Sequence, residues 1–174
     1  TDDVISGKIE SEEIIAAVCD GVGGLAQGYR AAMITLEGCS HLNRPDITMD
    51  EIRCVIEEAN VRVRNVQSIE NLYNGMMSTI AGIYSWHDRF IVFNAGDSRV
   101  YRFRFKYLMQ LSKDHSLVQN MVDLGEISSE EARYHDKKNI INKCIGYEEQ
   151  VNARIIDMTG DYDDGDIIMI CSDG

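Results

Sequence analysis

Two short apolar runs, each leading to an aspartate and a glycine, constrain this chain most. Ile14-Ile15-Ala16-Ala17-Val18-Cys19 runs into Asp20-Gly21, and Ile167-Ile168-Met169-Ile170-Cys171 runs through Ser172 into Asp173-Gly174. Runs this short, bounded by turn residues, read as buried strands. A buried strand ending in Asp-Gly carries a carboxylate at its tip. Two such tips, far apart in sequence, can meet across a sheet and hold hard cations with oxygen ligands. Metal-assisted phosphate chemistry is therefore the leading idea. After the first tip, Asp20-Gly21-Val22-Gly23-Gly24 places three glycines behind the carboxylate, so the backbone can turn sharply and approach a ligand closely. A plain strand-to-helix turn is the alternative.

The rest of the chain supplies further elements. Val4 to Lys8 and Glu13 to Cys19 read as a hairpin, and Tyr29 to Leu42 as a helix ended with help from the single proline, Pro45. Thr48-Met49-Asp50-Glu51 is a capping-box signature. It opens a long helix with an apolar stripe at Ile52, Val55, Ile56, Ala59, Val63 and Val66, and an exposed face at Glu57, Glu58, Arg62 and Arg64. Ser78 to Trp86, Phe90 to Ala95, Arg99 to Arg104 and Leu108 to Leu111 read as an antiparallel meander. Ser116 to Leu124 is a short helix stopped by Gly125, and Ser128-Ser129-Glu130-Glu131 caps another that runs to about Tyr134. Arg154 to Met158 and Asp166 to Cys171 are two more strands. The 174 residues suffice for one domain, and this mixture suggests an α+β layered sandwich.

Composition excludes several functions. A net charge of -12 argues against a nucleic-acid partner, which needs a basic face. No apolar run reaches the roughly 18 residues of a membrane helix. Five scattered cysteines, an odd number, read as reduced thiols in a cytoplasmic protein. No cysteine is followed at the right spacing by the arginine of a cysteine-dependent phosphatase; Cys39 and Arg44 are one residue short. A Walker-type loop and a zinc spacing among His41, His87, His115 and His135 are also absent.

Other polar segments have two readings each. In Asn94-Ala95-Gly96-Asp97-Ser98-Arg99, Asp97 is either a third carboxylate on the same rim or part of a hairpin turn. In Lys113-Asp114-His115-Ser116, Asp114 or Ser116 can cap the following helix, with His115 a positioning residue. Asp161-Tyr162-Asp163-Asp164-Gly165-Asp166 lacks the remaining positions of a calcium loop and reads as a turn.

Taken in order, DGVGG, an STIAGI strand, NAGDSR, SKDHSLV and ICSDG resemble the metal-dependent serine/threonine protein phosphatases (PPM type, protein phosphatase 2C-like), above all the small bacterial members. The resemblance implies a four-layer αββα sandwich, two antiparallel sheets flanked by helices, as a single domain over 1–174. It also implies a flap of small helices over 116–147. It implies that Asp20 bridges two Mn²⁺ or Mg²⁺ ions, that the Gly21 carbonyl ligates one, and that Asp173 binds the second. Asp97 with Asp173 would hold a weaker third ion, and Asp3, in the segment matching the family's Asn-Glu-Asp, lies near the first. The implied reaction is attack on phosphoserine or phosphothreonine by a hydroxide bridging the ions, with catalysis centred on Asp20 and Asp173.

The resemblance further implies phosphorylated proteins as substrates, a cognate Ser/Thr kinase as partner, a monomer, and neither nucleic acid nor membrane. Three departures stand out. The family's phosphate-binding arginine lies upstream of the first residue here. Its last metal-binding aspartate lies in an Asp-Asn segment downstream of Gly174. Val22 stands where many eukaryotic members carry a histidine. The expectation is therefore a fragment with its C-terminal part missing, a late strand and terminal helix absent and sheet edges left open. A non-catalytic, phosphatase-like regulatory or binding module is the second reading, supported by the missing arginine and aspartate.

Overall fold

A computed structural model describes residues 4–10, 13–22, 26–72 and 75–172. The first apolar run forms β2 (Glu13–Cys19), paired antiparallel with β1 (Val4–Glu10) in the expected hairpin. A two-residue strand, β3 (Gly21–Val22), pairs with β4 (Met77–Ser78). Between them lie α1 (Ala26–Cys39), a 3₁₀ turn at Ser40–Leu42, and α2 (Met49–Glu70). The capping box of α2 is complete: the Thr48 hydroxyl accepts from the Glu51 amide, and the Glu51 carboxylate accepts from the Thr48 amide. Ile52, Ile56, Ala59 and Val63 are buried along the expected stripe, with Val55 and Val66 partly buried against the same core.

Next come β5 (Ile80–Trp86), β6 (Arg89–Ala95), β7 (Arg99–Arg104), β8 (Tyr107–Gln110), α3 (Leu117–Asp123), α4 (Ser129–Tyr134), β9 (Arg154–Asp157) and β10 (Ile167–Cys171). The meander is divided between two sheets. β5 and β6 belong to a five-stranded sheet of order β1-β2-β5-β6-β9, while β7 and β8 join β10 in a three-stranded sheet of order β10-β7-β8. The chain crosses from one sheet to the other at Gly96-Asp97-Ser98. Strand periodicity alone does not register such a crossover, because β6 and β7 each alternate normally.

Alternation along β2, β5 and β6 explains the layers. Ile15, Ala17, Cys19, Ile80, Tyr84, Ile91 and Phe93 pack with Ala31, Ala32, Ile52, Ile56 and Val63 of the helices. The opposite face, with Ala81, Ile83, Phe90 and Val92, packs on Val100 and Leu111, and on the partly buried Ile168 and Ile170 of β10. The described layers are thus helices, sheet and sheet. The outer face of the second sheet carries exposed apolar side chains, among them Phe103, Leu108, Ile167 and Met169.

Polar groups tie loops to this frame. Glu57, expected on the exposed face of α2, instead accepts hydrogen bonds from the amides of Val151 and Asn152 at 3.0 and 2.8 Å. The acidic turn before β10 is held by arginines: Arg104 reaches Asp166 at 2.6 Å and Asp163 at 3.0 Å, and Arg102 bonds to the Asp161 carbonyl.

Candidate active site at the rim of the two sheets

Register brings the end of β2, the crossover loop and the end of β10 to one edge. Val18 pairs with Ala81 and Ile80 with Ala95, so the C-terminal end of β2, the start of β5 and the end of β6 share one edge. In the second sheet Cys171 pairs with Arg99, so the last strand ends beside the start of β7 at that same crossover. Asp20, half-buried, follows β2 directly, and Asp97, also half-buried, sits in the crossover loop. Asp173 and Asp3 lie outside the described residues. Among the described residues, groups of three or more histidine, cysteine or acidic side chains positioned for a metal are absent, so the described acids of the predicted set are Asp20 and Asp97.

Each loop is fixed by its main chain. The Thr79 amide donates to the Asp20 carbonyl at 2.8 Å. The Asp20 amide donates to Thr79 Oγ1 at 3.2 Å, and the Ser78 hydroxyl to the Asp20 carbonyl at 3.1 Å. Gly21 is required by packing: a Cβ there would stand 2.4 Å from the Gly28 carbonyl carbon of α1. Gly96 takes φ +112°, a backbone conformation that favours glycine.

His115 borders the same loop. Its amide donates to the Gly96 carbonyl at 2.9 Å, and its Nδ1 accepts from the Gly96 amide at 3.2 Å. Burial, aided by Lys143 and Arg154, pushes its pKa down to about 4, so the ring is neutral at neutral pH and Nδ1 remains an acceptor. The positioning role read for His115 fits this geometry. Of the two capping candidates, Ser116 caps α3, accepting from the Gln119 amide at 3.3 Å. Asp114 instead forms a fork with Arg99 at 2.5 to 3.0 Å. That fork pins the start of β7 to the segment before α3.

The segment from Ser116 onward closes on itself at its base. Ser116 bridges Ile141, the Leu117 amide donates to the Ile140 carbonyl at 2.8 Å, and the Asn142 amide to the His115 carbonyl at 3.0 Å. The returning chain is clamped by buried polar residues of α2. Asn60 accepts from the Gly146 amide at 2.7 Å and donates to the Glu148 carbonyl at 3.0 Å. Gln67 donates to the carbonyls of Met76 and Gly146 at 2.7 and 2.9 Å. These residues, with Thr79 and Ser98, were not singled out from sequence. Two amides inside an otherwise apolar helical stripe were the available signal for Asn60 and Gln67. Thr79 and Ser98 carry no comparable mark.

The donor set suits hard cations. Asp20 and Asp97 carboxylates and the Gly21 carbonyl offer oxygen, the ligand type of Mg²⁺ and Mn²⁺. Softer donors nearby are otherwise engaged: His115 Nδ1 faces the Gly96 amide, and burial raises the Cys19 thiol and pushes that of Cys144 up to about 12.

No family model matches the chain. It is 32% identical over 167 residues to the serine/threonine phosphatase stp of Listeria monocytogenes, covering 92% of this chain and 66% of that protein. It is 30% identical over 172 residues to stp of Listeria innocua, covering 95% and 68%. Its fold is similar to that of the serine/threonine phosphatase PstP/Ppp of Mycobacterium tuberculosis, with TM-score 0.83 and 26% identity over 99% of this chain and 72% of that one. It is also similar to a PstP catalytic domain in complex with two manganese ions, with TM-score 0.77 and 26% identity over 99% and 70%. Two packed antiparallel sheets with helices on one outer face and acidic tips at one rim define a class, the metal-dependent protein phosphatases. The chain belongs to the PPM family of serine/threonine phosphatases. It spans about two thirds of the length of its Listeria relatives.

Proposed function

We propose that the full-length protein hydrolyses phosphoserine and phosphothreonine in proteins, using Mn²⁺ or Mg²⁺ held at this rim. The observation that carries the reading is the convergence of Asp20, the Asp97 loop and the end of β10 at one edge, with oxygen donors. Asp20 and the Gly21 carbonyl would hold the ions with Asp173 and Asp3, and Asp97 would serve a weaker third position. Bound there, two such ions supply a water nucleophile usable near neutral pH and offset charge on the phosphoryl oxygens.

The chain's own residues complete the chemistry. Asp20 is fixed through its main chain, so the backbone that carries its carboxylate is in place before substrate arrives. Val22 offers no proton, so the leaving alkoxide takes its proton from water. A thiol nucleophile is disfavoured: Cys39 and Cys144 are buried and pushed up to about 12, and Cys54, though exposed, is followed six residues on by Asn60 instead of arginine. The segment 116–147 would act as the flap beside the site. The protein would work as a cytoplasmic monomer opposite a cognate Ser/Thr kinase. Among the described residues no helix is long and apolar enough to cross a membrane.

The test is turnover of a phosphothreonine peptide by the full-length protein with Mn²⁺, with EDTA, and as Asp173→Ala. Loss in both of the latter is expected. Metal-independent turnover, or undiminished activity of Asp173→Ala, would overturn the mechanism, and absence of turnover by folded, metal-loaded protein would point to a regulatory module.

A further inference from the structure

Thr79 touches the main chain of Asp20 and the residues on either side of Asp97, Gly96 and Ser98, through groups that are not ligands. Its Oγ1 accepts from the Asp20 amide at 3.2 Å and lies 2.6 Å from Ser98 Oγ. Thr79 and Ser98 are each 1% exposed, so water does not compete for these bonds. The threonine methyl bears on the crossover from the other side: a Cβ at Gly96 would stand 2.6 Å from Thr79 Cγ2. One buried side chain thus spans the gap between the end of β2 and the loop that carries Asp97.

We propose that Thr79 is a positioning residue whose hydroxyl sets the spacing of the Asp20 and Asp97 loops, and with it the affinity of the cation position that Asp97 serves. This rests on the ligand assignment made under Proposed function. Valine matches threonine in shape but lacks the hydroxyl. Thr79→Val would leave the Asp20 amide and the Ser98 hydroxyl without this partner while preserving the methyl contact with Gly96. Serine keeps the hydroxyl. Ser98→Ala removes the other half of the link and leaves Thr79 intact.

The experiment is calorimetric titration of Mn²⁺ into the full-length protein, wild type and as Thr79→Val, Thr79→Ser, Ser98→Ala, Asp20→Asn and Asp97→Asn, with turnover measured across Mn²⁺ concentration. Thr79→Val is expected to weaken the lower-affinity Mn²⁺ event about tenfold or more, the scale of losses when a ligand's supporting partner is removed. It should also raise the Mn²⁺ needed for half-maximal turnover. Ser98→Ala should shift in the same direction, and Thr79→Ser should bind like wild type. Wild-type Mn²⁺ binding by Thr79→Val and Ser98→Ala, where Asp97→Asn loses the weaker event, would overturn the proposal. Unchanged binding in both Asp20→Asn and Asp97→Asn would overturn the ligand assignment itself. Should Thr79→Val fail to fold, Ser98→Ala decides on the same criteria.

Discussion

At Gly96 conformation and space act together. The φ of +112° is one that L side chains rarely adopt, and a methyl group would meet Thr79. Gly96→Ala is therefore expected to destabilise the fold by about 1–3 kcal/mol, read as a lower urea midpoint. The glycine was visible in Asn94-Ala95-Gly96-Asp97-Ser98, but that segment has a hairpin turn as a second reading. Its actual role, a crossover between two sheets, depends on contacts with Thr79 and His115 that sequence spacing does not encode. The cysteines were more legible. Scattered spacing suggested thiols, and the structure has five free cysteines with Cys54 exposed. A thiol reagent at neutral pH should label Cys54 well before Cys39 or Cys144. Labelling at Cys54 should leave phosphatase turnover intact, and loss of turnover would reopen a thiol mechanism.

Among the elements, α2 shows what periodicity captures and what it omits. Its start and apolar stripe follow from Thr48, Glu51 and the 3.6-residue repeat. Its function as a clamp does not. Asn60 and Gln67 hold the chain returning from the 116–147 segment, and Glu57 caps two amides beside β9. These partners are far away in sequence and invisible to a local pattern. Replacing Gln67 with alanine leaves the carbonyls of Met76 and Gly146 without this donor. A loss of about 1–3 kcal/mol is expected from chemical denaturation.

The cap itself is pH-dependent. The Thr48 amide, then Arg44 and the Thr48 hydroxyl, lower the Glu51 pKa from 4.5 to about 2. A lowered folded-state pKa gives stability that is present above the unfolded value and lost as pH falls toward about 2. Glu51→Gln should therefore narrow the difference between denaturation midpoints at about pH 6 and about pH 3. An unchanged difference would mean the cap contributes nothing ionic.

For the whole molecule, the rim is the product of register. Antiparallel pairing of β2 with β5 and β5 with β6 brings Asp20 level with the crossover, and pairing of β10 with β7 brings the last strand to the same end. The two apolar runs suggested strands that end at one edge, as β2 and β10 do, while Asp173 itself lies outside the described residues. The division of the strands into two sheets followed from the family resemblance and not from periodicity, because inward and outward faces alternate identically in one sheet or two. Removal of divalent cations with EDTA is expected to abolish turnover while leaving circular dichroism largely unchanged, since the core is built from apolar contacts and not from the metal ligands. The central claim is that Asp20 is a metal-holding carboxylate, and the most direct measurement is Mn²⁺-dependent turnover of a phosphothreonine peptide by full-length Asp20→Asn against wild type. A fall of about a hundredfold or more in a folded variant is predicted, at or beyond the losses that follow removal of a ligand's supporting partner; activity close to wild type would contradict it.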